Sequence, residues 1–172
     1  MTLILTCLTK DFIVQASDRR ISDIKANKMQ WYDDQSNKAL VYKKQFVFAY
    51  TGQAKIPIRK NGLSTYISTI DWAAEQLSKG KDLDDAVNNL KYRATELMNS
   101  NQVRKLPGYK RRIAFVGAGF DEVERGSKRI RRPVRIIIEN CLEDDGTLLD
   151  QPRDGFKNHY DPLKNCDAAL YI

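Results

Sequence analysis

The sequence predicts an α+β fold in which helices are layered on an antiparallel β-sheet. Apolar, β-rich runs fill the first fifty residues, a stretch with helical periodicity follows, and β-rich runs return after Arg112. With 172 residues, the chain is expected to form one domain over residues 1–172 with a sizeable core.

Two β-hairpins account for the first fifty residues. The predicted strands are residues 3–8, 12–16, 38–42 and 46–50. A polar turn at Lys10-Asp11 joins the first pair, and Lys43 to Gln45 joins the second. The polar segment between the hairpins, residues 22–37, is expected to be a loop.

A change of period predicts two helices in the middle of the chain. Apolar residues with 4-3-4-3 spacing would form one face of the first: Leu63, Ile67, Ile70, Ala74 and Leu77. Gly80 is expected to stop this helix, and Asp82 to cap the second. Because the join is short, we expect the two helices to pack as an antiparallel pair.

The last third of the chain again favours strands. Two are predicted, at residues 112–116 and 134–141, and a third begins at 147–149 after a turn at Asp145-Gly146. The final twenty residues are expected to be irregular, with a short apolar end at 168–172. His159 is the only histidine, and we expect it on a polar loop.

Composition narrows the class of protein. There is no apolar run of membrane-spanning length and no secretory signal pattern at the start, so the expected location is cytoplasmic, with no membrane partner. Three widely spaced cysteines, Cys7, Cys141 and Cys166, fit neither a disulfide framework nor a metal site. We therefore predict no metal and no cofactor.

The net charge of +7 is concentrated in one segment. Between Val103 and Arg135 there are eleven lysines and arginines against three acidic residues. Such a stretch could bind nucleic acid, but few aromatic residues interleave with the charges, so a solvated loop or a surface for a neighbouring subunit is favoured.

The start of the chain suggests a candidate catalytic nucleophile. Thr2 follows Met1 directly, and removal of the methionine would leave a threonine with both a hydroxyl and a free α-amino group. An N-terminal amine can act as the base for its own side-chain nucleophile. Taken alone, the Met-Thr start is better explained as an accident, because many ordinary proteins begin in this way.

Hairpin register brings further groups towards Thr2. If the first turn is centred on Lys10-Asp11, paired positions sum to about twenty-one, so Asp18 faces Leu3. In the second hairpin, Lys38 lies near residues 49–51 and thus beside Gly52. If both hairpins share a sheet, all four candidate residues, Thr2, Asp18, Lys38 and Gly52, converge.

Each candidate residue has a chemical role to fill. The hydroxyl of Thr2 would attack a carbonyl, and its α-amine, with an ordinary pKa of about 7.7–8.0, would accept the proton. The charge of Lys38 would favour the deprotonated nucleophile, with Asp18 holding the lysine in place. The N–H of Gly52 could stabilise an oxyanion. Each residue singly also has a structural explanation, as a surface ion pair, a strand-end charge or a strand-to-helix bend.

Together these residues resemble proteasome-type N-terminal-nucleophile hydrolases, which include the proteasome β-subunits and their simpler bacterial relatives. The matching features are a threonine opening the first strand, an Ala-x-Asp-x-Arg segment at 16–20, a lysine starting a strand at Lys38, and Thr51-Gly52 before the helices. A Gly-x-Asp strand ending at 119–121 follows the helix pair. The match extends in order over about the first 150 residues.

The resemblance implies a four-layer αββα sandwich, which we expect to be incomplete at its C-terminal end because no equivalent of the family's last elements follows Leu149. It also implies threonine-type hydrolysis of peptide or amide bonds, with an unfolded protein as substrate, self-association into a homo-oligomer, and an ATP-driven unfoldase as a partner. The alternatives are a catalytically inactive assembly subunit of the same fold and, from another class, a nucleic-acid-binding module that uses the basic segment.

Overall fold

A computed structural model describes residues 3–18, 21–25, 28–33, 37–60, 62–163 and 168–171. Its strands are β1 (Ile4–Thr9), β2 (Ile13–Ser17), β3 (Ile21–Lys25), β4 (Lys28–Asp33), β5 (Ala39–Tyr42), β6 (Phe46–Gly52), β7 (Lys55–Lys60), β8 (Leu63–Ser68), β9 (Ile113–Arg125), β10 (Lys128–Glu139), β11 (Lys157–Pro162) and β12 (Ala168–Tyr171). Its helices are α1 (Thr69–Ser78), α2 (Leu83–Met98) and α3 (Asn101–Arg104), followed by a 3₁₀ turn at Gly108–Arg111.

The strands form two larger antiparallel sheets and two separate hairpins. One sheet has the order β12-β1-β2, and the other has the order β11-β10-β9-β6-β5. The pairs β3-β4 and β7-β8 are not hydrogen-bonded to either sheet. The three-stranded sheet contacts the larger sheet through β1 and β2, which pack against β6 and β9.

The helices cover the other face of the five-stranded sheet. Side chains on one face of β6, Phe46, Phe48 and Tyr50, join a buried cluster with Trp72 and Leu77 of α1. Because side chains alternate along a strand, the intervening positions of β6 face the three-stranded sheet. The described chain is thus built in three layers: helices, a five-stranded sheet and a three-stranded sheet.

This arrangement overturns the predicted αββα four-layer sandwich. The molecule is mostly antiparallel β-sheet with three helices in the described residues. The outer face of the three-stranded sheet exposes Leu3, Leu5 and Val14, so no helix of the described chain covers it as a fourth layer would. The physical reason is that all the described helices lie between Thr69 and Arg104 and therefore reach one face of one sheet.

Both predicted hairpins are confirmed, with their register. In the first, Ile4 pairs with Ser17 and Leu8 with Ile13, so paired positions sum to twenty-one as expected. In the second, Ala39 pairs with Ala49. The two hairpins do not share a sheet; they lie in different sheets that pack face to face.

The prediction for the first helix was wrong at its start. Residues 63–68 form strand β8, and α1 begins only at Thr69, where the Ser68 side chain accepts from the backbone N–H of Asp71. The second helix is confirmed: the Asp82 carboxylate caps it by accepting from Asp85 N at 2.8 Å. The two helices contact each other.

Other local expectations also need correction. The predicted loop at 22–37 contains strands β3 and β4 within its described part. The last twenty residues are not irregular throughout, because β11 and β12 lie there, and His159 is on β11 rather than on a loop. The strand expected to begin at 147–149 is reduced to an isolated bridge between Leu142 and Leu148. No helix in the described residues has the length and apolar character needed to cross a membrane.

Candidate functional site

The first hairpin sets the position of Asp18. Its backbone N–H donates to Leu3 O at 3.1 Å, one step beyond the last pair of the β1-β2 ladder. Asp18 therefore faces Leu3, as the register predicted, and its side chain is exposed. Thr2, the residue before Leu3, lies outside the described residues. Asp18 directly follows β2, and Gly52 ends β6. These two strands pack against each other.

Lys38 is a buried lysine at the start of the second hairpin. Only 3% of its surface is exposed, and its carbonyl accepts from Tyr50 N at 3.2 Å. Lysine is rarely buried unless its ammonium group is engaged, because desolvating a charge is costly. A buried cation at this point therefore indicates more than an ordinary strand-end charge.

Gly52 ends β6 in a conformation that only glycine adopts readily. Its φ is +107°, and a Cβ built on it would lie 2.0 Å from the carbonyl oxygen of Arg112. Gly52 pairs with Ile113, the first residue of β9. The sequence singles out this glycine for its N–H; the structure adds that the backbone of a neighbouring strand approaches it too closely for any side chain.

A cavity of about 280 Å³ lies next to these strand ends. It is lined by Asn37, Tyr50, Ala54, Lys55, Ser68, Ile70 and Asp71. Asn37 precedes Lys38 directly, and Tyr50 is the residue opposite Lys38 in the hairpin. Lys38 and Gly52 therefore belong to the same end of the β5-β6 hairpin as the cavity.

Buried polar residues brace this end of the sheet. Asn140 has no exposed surface; its Oδ1 accepts from Ile113 N at 3.0 Å, and its Nδ2 donates to Arg111 O at 2.9 Å and Arg153 O at 3.3 Å. These bonds hold the entry into β9 beside Gly52. The sequence pattern did not identify Asn140, since a polar residue ending a strand normally indicates a turn.

Glu139 is a second buried group that the sequence pattern did not reveal. One carboxylate oxygen accepts from Cys141 N at 2.5 Å and Leu142 N at 2.6 Å, and the other lies 3.6 Å from the Arg153 guanidinium and 3.3 Å from His159 Nε2. Burial, and then the charge of Glu139, raise the pKa of the Cys141 thiol. A raised pKa disfavours the thiolate, so Cys141 is not activated as a nucleophile.

The basic segment divides into two separate clusters in the structure. Lys105 to Arg112 lie before β9, whereas Lys128 to Arg132 lie on a ribbon formed by the far ends of β9 and β10. β9 has 13 residues, so its two ends lie twelve residue steps, about 40 Å, apart. On the ribbon, Arg129 lies within 4 Å of Glu122 and Glu124, and Arg132 lies 3.5 Å from Asp121.

The described residues contain no group of three or more His, Cys, Asp or Glu side chains that could hold a metal ion. Comparisons of the whole chain with protein-family models, with curated proteins and with solved structures find no match. The candidate site therefore rests on its own geometry.

Proposed function

We propose that this chain is a threonine-type peptide hydrolase whose nucleophile is Thr2, exposed by removal of Met1. The observation that carries the proposal is the buried Lys38, which follows Asn37 at the wall of a cavity and faces Tyr50 on the neighbouring strand. Lysines are rarely buried, and active sites are among the places where a buried charged group activates a nucleophile.

The register of the first hairpin supports the same assignment. Asp18 faces Leu3 across the hairpin, and Leu3 directly follows Thr2 in the sequence. The sheet that carries this hairpin packs on the sheet that carries Lys38 and Gly52. Convergence would then occur across two stacked sheets rather than within one.

In the proposed reaction, Oγ1 of Thr2 attacks the carbonyl carbon of a peptide bond while the α-amino group accepts the hydroxyl proton. The N–H of Gly52 donates to the oxyanion, and the C–N bond breaks as the leaving amine takes up the proton. Water then hydrolyses the resulting ester. The positive charge of Lys38 favours the ionised oxygen of Thr2.

A peptide substrate suits the cavity. A volume of about 280 Å³ is at the small end of ligand sites and accommodates one amino-acid side chain rather than a large cofactor. The resemblance further suggests a cytoplasmic, self-associating enzyme that receives unfolded chains from an ATP-driven unfoldase. The basic residues are divided between two clusters, and Arg129 and Arg132 on the ribbon pair with acidic neighbours, which favours peptide over nucleic acid as the partner.

The test is hydrolysis of fluorogenic peptides by matched variants. Thr2→Ala is expected to lower kcat/KM at least about 10³-fold, because the nucleophile is removed, whereas Thr2→Ser retains activity. Lys38→Met is expected to lower kcat/KM about 10²-fold. Lys10→Met, which removes an exposed cation from the first turn, should leave kcat/KM unchanged.

Folding of each variant is checked by circular dichroism before activity is compared. If Thr2→Ala hydrolyses peptides as fast as the unchanged chain, the proposal is wrong, and the alternative of an inactive assembly subunit gains support. The same conclusion follows if the unchanged, correctly processed chain has no peptidase activity at all.

A further inference from the structure

The hairpin formed by β7 and β8 leaves one edge of β8 open. Within the described residues, β8 pairs with β7 and with no other strand. Leu63 and Tyr66 are 74% and 67% exposed, and Ser64 and Thr65 between them are also exposed. This is the segment that the sequence pattern assigned to a helix, so its role was not visible from periodicity.

The register shows which backbone groups point to the open edge. Thr69 N donates to Ala54 O at 2.9 Å, so the pair 54–69 is hydrogen-bonded. Hydrogen-bonded and non-hydrogen-bonded pairs alternate in an antiparallel ladder. The pairs Lys55–Ser68, Pro57–Tyr66 and Arg59–Ser64 are therefore non-hydrogen-bonded. Pro57, which has no N–H to donate, fits this assignment. The N–H and C=O groups of Ser64, Tyr66 and Ser68 thus face away from β7.

The sequence of β8 contains nothing that protects an open edge. Natural edge strands usually carry lysine, proline or a bulge, which prevent pairing with another chain. From Leu63 to Ser68 there is no charged residue and no proline, and the β7-β8 ladder has no register shift. An unprotected edge with outward amides at alternate positions is the feature that peptide-binding domains use to add a strand.

The base of the hairpin forms part of the cavity wall. Lys55 and Ser68, which pair with each other, both line the cavity together with Ala54. A strand added along Ser64 to Ser68 spans about 13 Å and runs to the mouth of the cavity. A polypeptide bound at this edge would therefore be held extended, with its next residue at the cavity.

The charge of the β7-β8 hairpin indicates which kind of polypeptide would bind at its open edge. Residues 54–68 include Lys55, Arg59 and Lys60 and no acidic residue. An added strand would lie two strand spacings, about 10 Å, from β7, which slightly exceeds the Debye length of about 8 Å at physiological salt, so the attraction is partly screened there and is stronger at low ionic strength. Two copies of this chain joined at β8 would instead bring like charges together.

We propose that the open edge of β8 binds an extended, acidic segment of a polypeptide as an added strand and directs it into the cavity. This inference rests on the proposed peptidase function, since it names the substrate segment that the same site would take. The edge supplies main-chain hydrogen bonds without selecting particular side chains, and the basic residues of β7 favour acidic ones.

The test uses the full chain carrying Thr2→Ala, so that bound peptide is not cleaved, and a fluorescein-labelled ten-residue peptide of alternating glutamate and valine. Tyr66→Pro removes an outward N–H without breaking the β7 ladder, and Tyr66→Ala is the matched control for loss of the side chain. Fluorescence anisotropy is expected to show at least about tenfold weaker binding for Tyr66→Pro than for Tyr66→Ala.

Two further measurements test where the peptide binds and whether its charge matters. Hydrogen exchange at the Ser64 and Tyr66 amides of the Thr2→Ala chain should slow when the peptide binds, and an alternating lysine-valine peptide should bind more weakly. Equal binding by the proline and alanine variants, or protection confined to other strands, would overturn the inference. So would a dimer that Tyr66→Pro dissociates, because the edge would then belong to a second copy.

Failure of this inference is distinguishable from failure of the proposed function. If the unchanged chain does not hydrolyse peptides but the β8 amides are still protected by the acidic peptide, the binding edge is correct and the catalytic proposal is wrong. If hydrolysis depends on Thr2 but is insensitive to Tyr66→Pro, the enzyme is correct and the binding edge is wrong.

Discussion

Replacing Gly52 with alanine tests how closely the strands approach at the candidate site. The added Cβ would lie 2.0 Å from Arg112 O and 3.0 Å from Arg112 C, both backbone atoms. Arg112 cannot move freely, because its guanidinium donates to Leu149 O at 2.6 Å and to Asp150 O at 2.7 Å. Asn140 also holds the preceding carbonyl, that of Arg111.

The expected loss has two parts. A residue with a side chain at φ +107° costs about 1–2 kcal/mol in backbone strain, and overpacking against fixed atoms adds about 1–3 kcal/mol. Gly62 provides the matched control, since its φ is +81° and a Cβ added there would meet no atom within 4 Å. Gly62→Ala should therefore lose only the strain, about 1–2 kcal/mol.

Urea denaturation of the two variants measures the difference directly. Gly52→Ala is expected to be less stable than Gly62→Ala by at least about 1 kcal/mol, and to lose peptidase activity as the N–H of residue 52 shifts. Equal losses of unfolding free energy in Gly52→Ala and Gly62→Ala would show that the backbone of Arg112 moves easily to make room for the added Cβ. The close approach of the two strands would then be no constraint on this position.

The remaining predictions concern the buried groups that brace the sheet. Asn140→Ala should lower the free energy of unfolding by about 3 kcal/mol, because the buried N–H of Ile113 and the partly buried carbonyl of Arg111 lose their partner. The same change at the exposed Asn158 should lower it by less than about 1 kcal/mol, as urea denaturation would show. In the folded chain, iodoacetamide should label Cys7 before the buried Cys141, as peptide mapping would show; equal rates would contradict the burial. Burial raises the pKa of the Cys141 thiol in the folded chain, so as pH rises above about 8.5 this thiol loses its proton in the unfolded chain before it does so in the folded chain. The free energy of unfolding should therefore fall above this pH, and it should fall less in Cys141→Ala.

Local signals in the sequence predicted the hairpins well. Alternation of apolar and polar residues around a short polar turn determines both the strands and their pairing, which is why Ile4 pairs with Ser17 as expected. The cap of α2 was equally local, since the Asp82 side chain bonds a backbone N–H three residues away. The pairing of Asp18 with Leu3 followed from the same register.

The errors arose where structure depends on distant parts of the chain. β8 is exposed at Leu63 and Tyr66, so it has no alternating pattern, and its apolar residues happened to continue the spacing of α1. The ribbon beyond Phe120 carries many charged residues because it extends beyond the core, and the basic segment to which it belongs was therefore interpreted as a solvated loop or a surface for a neighbouring subunit. Whether two hairpins share a sheet or stack is likewise a non-local choice.

For the site, strand ends could be predicted and buried polar partners could not. Lys38 and Gly52 stood out because a lysine starts a strand and a glycine ends one. Nothing in the sequence distinguishes Asn140 or Glu139 from exposed polar residues at the end of an apolar run. Their burial depends on residues 149–159, a loop and the start of β11, which return to cover them.

The most direct test of the central claim is a mass measurement on the purified, active chain treated with a threonine-directed covalent inhibitor. We predict that the untreated chain lacks Met1, and that treatment adds one inhibitor per chain, located on Thr2 by peptide mapping, with complete loss of hydrolysis. Retention of Met1 in active protein, or loss of hydrolysis without modification of Thr2, would contradict the account.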